Sequence, residues 1–183
     1  MITLKSAHFY GLSTISKVIQ NQTGPYSHSA VYIDDAERLY IKTLIGEERA
    51  TKIKLDQMNL MEQWPHSGRI KSWMDYNDMH DHTSGTPYEI WALNMSRLDW
   101  EYCLAHYVKS CEDKKEYDWA GIVNFRYKFI KEDPEKTFCS EELITPIVKA
   151  LKWSTVRPWT VHPTLCVNLI QAAGGFIIQQ GET

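Results

Sequence analysis

The apolar positions of the chain fall into two alternating kinds of pattern. Residues 2–10 read as a strand, and Ser13 to Gln20 as a short helix with Ile15, Val18 and Ile19 inward. Gly24-Pro25 ends that helix, and the β-branched and aromatic run that follows, to Ile33, reads as a second strand. Its period of two puts Tyr26, His28, Ala30 and Tyr32 on one face and Ser27, Ser29, Val31 and Ile33 on the other. A turn at Asp34-Asp35-Ala36, a strand from Arg38 to Leu44 and an alternating strand from Thr51 to Leu55 complete an expected antiparallel meander. Met58 to Trp64 fits neither period, and Asp75 to Thr86 reads as a polar loop ending in Gly85-Thr86-Pro87.

The second half is mainly helical. After a strand from Tyr88 to Met95, Ser96-Arg97-Leu98-Asp99 has capping-box spacing, and a helix is predicted to about Lys114. Trp100, Cys103, Leu104, Tyr107, Val108 and Cys111 form its buried stripe, with His106 outside it in solvent. Asp118 is positioned to cap a helix from Trp119 to about Ile130. Leu143, Ile144, Ile147, Val148 and Leu151 mark the inward face of another helix, with Thr137 as its cap. Trp153 to Thr160 is irregular. Pro163 then opens a last helix to Ala173, closed by Gly174-Gly175, and Phe176 to Gln179 reads as an edge strand. The fold class expected is α+β, one domain of 183 residues with a small antiparallel sheet packed on a helical layer.

Composition narrows the partners. A formal charge of −3 gives no ground for nucleic acid or anionic membrane. No apolar run approaches the roughly 20 residues that span a bilayer. Met1-Ile2-Thr3-Leu4-Lys5 opens no signal-peptide core, which points to a cytoplasmic protein, with export left open for a trimmed start. Asp78, His80, Asp81 and His82 crowd the polar loop, but no third ligand stands at metal spacing, so no metal or cofactor is assigned.

Of the four cysteines, Cys103, Cys111 and Cys166 sit in apolar helical stripes and form no zinc or C-x-x-C spacing. Cys139 differs, because it stands at a helix start, after the charged turn Lys131 to Lys136. The free N–H groups and positive dipole end of a first turn favour a thiolate, whereas Glu141 and Glu142 would oppose it if close to the sulfur. A base is therefore required. His28, near the start of its strand, is the candidate, and the two make a minimal nucleophile–base pair.

Tyr26-Ser27-His28-Ser29-Ala30-Val31-Tyr32 and Phe138-Cys139-Ser140-Glu141 together resemble the strand and helix-start motifs of the permuted papain-like amidases, the YiiX and YaeF-like branch of the NlpC-type cysteine peptidases. As in that branch, histidine precedes cysteine. The resemblance implies a circularly permuted papain-like fold and a cysteine hydrolase or acyltransferase acting on an amide or ester, in a peptide, cell-wall peptide or acyl-lipid substrate. Cys139 would be the nucleophile, His28 the base, and Tyr26 and Ser140 would line the cleft. The chain departs from the family pattern in four places. Ser6-Ala7-His8-Phe9 replaces a Gly-Asp strand, Ala30 replaces a glycine, Glu142 stands where the family has leucine or phenylalanine, and the run Leu39-Tyr40-Ile41-Lys42-Thr43 puts Lys42 in the slot of the carboxylate that orients the histidine. A charged lysine accepts no hydrogen bond. Thr43, Glu47 or a backbone carbonyl are the nearest substitutes, and failing them the chain would be an inactive binding module on the same fold. A structural or interaction protein with coincidental motifs is the third reading. The sequence leaves the oligomeric state open.

Overall fold

The computed structural model describes residues 2–57, 59–64, 67–71, 85–113, 116–118 and 136–183. It is an α+β arrangement built on an antiparallel six-stranded sheet. The strands are β1 (Ile2–Phe9), β2 (His28–Tyr32), β3 (Leu60–Trp64), β4 (Ser67–Lys71), β5 (Pro87–Met95) and, last in the chain, β8 (Phe176–Glu182). Their order across the sheet is β4-β3-β2-β1-β5-β8. A two-residue parallel pair, β6 (Glu116–Tyr117) with β7 (Lys136–Thr137), stands apart from it.

The helices are α1 (Thr14–Thr23), α2 (Asp35–Ile45), α3 (Glu47–Lys52), α4 (Arg97–Asp113), α5 (Cys139–Ala150) and α6 (Pro163–Ala172). The stripe on α4 is buried as its spacing predicts, from Trp100 to Cys111. It packs with Leu143, Ile144 and Ile147 of α5 and Cys166, Val167 and Ile170 of α6 on one face of the sheet, against Leu4, Val31 and Leu93. Each large aliphatic side chain buried there contributes about 1.5–3 kcal/mol. Ala7, Phe9, Ala30, Leu60 and Ile90 form a second cluster on the opposite face. Ile19, Tyr117 and Phe138 form a third, small one.

Three expected elements differ. Residues 35–45 are helical because Asp34 and Glu37 close a reciprocal capping box, and Ile41 is the buried position of that helix. The alternating run Thr51 to Leu55 is the end of α3, a turn and a 3-10 turn at Leu55–Gln57, with Ala50, Ile53 and Leu55 buried. The strand neighbouring β2 comes instead from the run that fitted neither period, as β3. In α1, Ile19 alone is buried, while Ile15 and Val18 face outward. The expected helix from Trp119 and the loop with Asp78, His80, Asp81 and His82 lie outside the described residues. Among the described residues no helix is long and apolar enough to cross a membrane.

Candidate active site

His28 is the first residue of β2 and pairs with the last residue of β1, Phe9, so it stands at the end of a central ladder rather than in the middle of the sheet. Ring contact with Phe9, at 5.9 Å between centroids, helps fix its plane. Cys139 is the first residue of α5. Its cap position is held by Phe138, which is buried and makes no side-chain cap, and Thr137 lies one residue earlier in β7. Packing of Phe138 with Ile19 and Tyr117 therefore seats this helix start, where a hydroxyl cap was expected.

The thiol of Cys139 and the ring of His28 are hydrogen-bonded. Burial opposes charge on both groups, and the interaction between them outweighs it. The His28 pKa is pushed up to about 10 by Cys139 and Glu62 against that desolvation, and the Cys139 thiol is lowered by His28 and by the backbone N–H groups of Ser29 and Ser140. Both shifts favour the thiolate–imidazolium form of the pair. Both residues are almost enclosed, Cys139 at 4% exposure and His28 at 8%.

The second ring nitrogen of His28, Nε2, lies 2.8 Å from Oε2 of Glu62 on β3. Glu62 is buried and one residue beyond the last β2–β3 register pair, Val31 with Met61. The residues expected in this role are elsewhere. Lys42 on α2 pairs with Asp56 at 2.8 Å and with Glu47 at 3.0 Å, and Thr43 bonds the Tyr40 carbonyl at 2.6 Å. Reading residues 38–44 as a strand aligned the wrong segment; with α2 helical, the next extended run, Leu60-Met61-Glu62, carries the acid. Asp34 and Glu37, three apart, were the signal that could have revealed it.

Tyr117 was also missed as a site residue. Its hydroxyl is hydrogen-bonded to Cys139, and burial first, then the thiolate, raise its pKa well above the ordinary tyrosine value, so it stays a donor. The parallel β6–β7 pair and the bond from Asp118 N to the Thr137 carbonyl, 2.9 Å, hold it beside the helix start. Ser140 does not line a cleft, since its hydroxyl donates to the Val161 carbonyl at 2.7 Å and ties α5 to the segment before α6. Tyr26 is buried, its hydroxyl bonded to Glu89 beside Tyr10, Trp91 and Gln180.

Two further groups complete the surroundings. Glu142, feared as a repulsive neighbour, turns toward α4, where Ser110 bonds it and His106 lies 3.0 Å away, so that histidine is not simply solvated. A cavity of about 10 Å³ lies among Glu62, Cys139, Glu142 and Ser110, at the lower limit for a single water. On β1, His8 bridges Ser29 and Ser6 through its two nitrogens, each bond 2.9 Å long, and its full burial keeps it neutral. Among the described residues no group of histidines, cysteines and carboxylates could hold a metal ion. A scan against protein-family models and a search of curated proteins both return no match to this chain.

Proposed function

We propose that the protein is a cysteine hydrolase or acyltransferase of the permuted papain-like kind, acting on an amide or ester of a peptide or acyl substrate. The observation that carries this reading is the chain Cys139–His28–Glu62, in which a thiol, an imidazole and a buried carboxylate are joined in sequence. Glu62 commits Nε2 and so leaves Nδ1 for the thiol, fixing tautomer and ring orientation.

The Cys139 thiolate attacks the acyl carbon and a C–S bond forms while the carbonyl electrons move to oxygen. The N–H of Cys139 at the helix start and the Tyr117 hydroxyl, bonded to Cys139, are the donors this reading assigns to that oxyanion. On collapse, the bond to the leaving amine or alcohol breaks and imidazolium His28 supplies its proton. Water, or an acceptor amine or alcohol, then attacks the thioester with His28 as base, and the thiolate is regenerated. The inactive-module alternative rested on Lys42 facing the ring, and Lys42 is engaged by Asp56 and Glu47 instead.

The test is iodoacetamide labelling of the native chain over a pH series, with mass mapping of each cysteine. Cys139 is expected to label below pH 7, ahead of Cys103, Cys111 and Cys166, whose thiols burial pushes upward. Glu62→Gln should move the Cys139 profile upward by roughly one pH unit and lower turnover of a p-nitrophenyl acyl ester roughly a hundredfold or more. Lys42→Ala should change neither. If Cys139 titrates like an ordinary thiol, near pH 8.5, and Glu62→Gln leaves it unmoved, the reading is wrong.

A further inference from the structure

The period of two along β1 and β2 puts Ser6, His8 and Ser29 on the sheet face that also carries Leu4 and Val31, under the helices. His8 and Ser29 are fully buried register partners, and Ser6 is buried beside them. Nε2 of His8 lies 2.9 Å from the Ser6 hydroxyl, and Nδ1 lies 2.9 Å from the Ser29 hydroxyl. Glu89, the partner of His8 on β5, is taken by Tyr10, Tyr26, Trp91 and Gln180, and the Tyr26 ring meets His8 edge-on at 5.9 Å. A charged His8 would stand against imidazolium His28. Full burial keeps it neutral, with one ring nitrogen donating and the other accepting. Ser29 carries this network to the sulfur, because its backbone N–H bonds Cys139. N–H groups alternate sides along a strand, and Ile33 N donates to the Asn59 carbonyl at 2.8 Å, so Val31 and Ser29 also turn theirs toward β3. The β2–β3 register ends at Val31 with Met61, and the sulfur takes the next donor on that side.

We propose that His8 is a positioning residue for the Cys139 thiolate: by holding the Ser29 hydroxyl, its ring keeps the Ser29 N–H aimed at the sulfur. At Ser29 the ladder to β1 continues, but among the described residues the register with β3 has ended. The side-chain bond from His8 therefore adds a restraint where the backbone of β2 is paired on one side. This role rests on the hydrolase or acyltransferase reading of the site. Ser6 and His8 belong to the run that departs from the Gly-Asp strand of the resembled family, so the resemblance does not supply it.

Two amides each copy one nitrogen of the ring, asparagine near Nδ1 and glutamine near Nε2. His8→Asn thus keeps the bond to Ser29, and His8→Gln keeps only the bond to Ser6. The readouts are the pH profile of Cys139 alkylation and kcat and KM for a p-nitrophenyl acyl ester, with circular dichroism to check the fold. His8→Gln should move the profile upward by about half a unit and lower kcat about threefold below its midpoint, with KM unchanged. His8→Asn should restore most of both. Ser29→Ala keeps the backbone N–H but loses the hydroxyl, so it should repeat the His8→Gln shift, and the double variant should shift no further. A native Cys139 profile near about pH 8.5 would sink the reading on which this role rests. A low native profile that neither His8→Gln nor Ser29→Ala moves overturns the role of His8 alone. So does an equal shift in His8→Asn and His8→Gln, which would leave His8 to packing.

Discussion

A thiolate and an imidazolium buried side by side are costly unless the remaining hydrogen-bonding positions of each are filled. Here they are filled from four directions. Glu62 takes Nε2 of His28, and the Ser29 and Ser140 N–H groups and the Tyr117 hydroxyl point at the sulfur. Of the three donors at the sulfur, the Tyr117 hydroxyl is the one carried by a side chain, so a substitution removes it without disturbing backbone. Tyr117→Phe keeps the ring packed with Ile19 and Phe138 and deletes one donor to the thiolate. The pH profile of Cys139 alkylation should therefore shift upward by about half a unit to one unit, with the fold unchanged by circular dichroism. Acyl-ester turnover should fall by more than that shift explains, since the proposed mechanism assigns the same hydroxyl to the oxyanion. A profile that does not move would assign Tyr117 to packing alone.

At the scale of elements, α2 decides where the site's carboxylate comes from. Asp34 accepts from Glu37 N at 2.9 Å, Glu37 accepts from Asp34 N at 3.0 Å, and Lys5 joins Asp34 at 2.5 Å. Asp34→Ala removes the cap and should cost about 1 kcal/mol, lowering the melting temperature by about 2–4 °C in a chain of this size. Asp34→Asn keeps a side-chain acceptor and should lose only part of this, which separates capping from the ion pair. The strands β1 and β5, the stripe on α4 and the starts of α5 and α6 could be read from periodicity and from Gly and Pro punctuation, because the two strands are long and mostly buried and α4 is long with a continuous buried stripe. His28 and Cys139 could be read from their motifs. Glu62 could not, because the five-residue β3 has no clean alternation and gains its identity only from pairing with β2 and β4. Leu39, Tyr40 and Ile41 were equally persuasive as strand residues until the cap at Asp34 is weighed, and Leu39 is in fact 65% exposed. Tyr117 escaped because two-residue strands leave no periodic trace.

The whole molecule draws its site from distant segments, and their titration sets how its stability responds to pH. Proton counts in the folded and unfolded chains give the sign. Between about pH 6.5 and 8.5 the unfolded pair of Cys139 and His28 holds one proton, on sulfur, and the folded pair also holds one, on the ring. The pair then contributes no slope. Below about 6.5 the unfolded chain gains a proton at His28 and another at His8, while folded His28 already carries its proton, the lowered pKa of Cys139 favours the thiolate beside it, and folded His8, burial lowering it to about 3, stays neutral. Stability therefore falls as pH drops, by up to about 1.4 kcal/mol per pH unit for each proton. Above about 8.5 the unfolded thiols ionise, while folded His28 keeps its proton to about 10 and Cys103 keeps its own to about 12. Cys111 and Cys166 are raised as well, so the alkaline limb is the steeper one. Urea midpoints across this range should trace a plateau between the two limbs. Cys139→Ser should flatten the acid limb by one proton's worth, because no thiolate then resists protonation, and His8→Gln should flatten it by another. Stability that continues to climb from pH 8 to pH 10 would contradict the thiolate–imidazolium assignment and the burial of the three core thiols together.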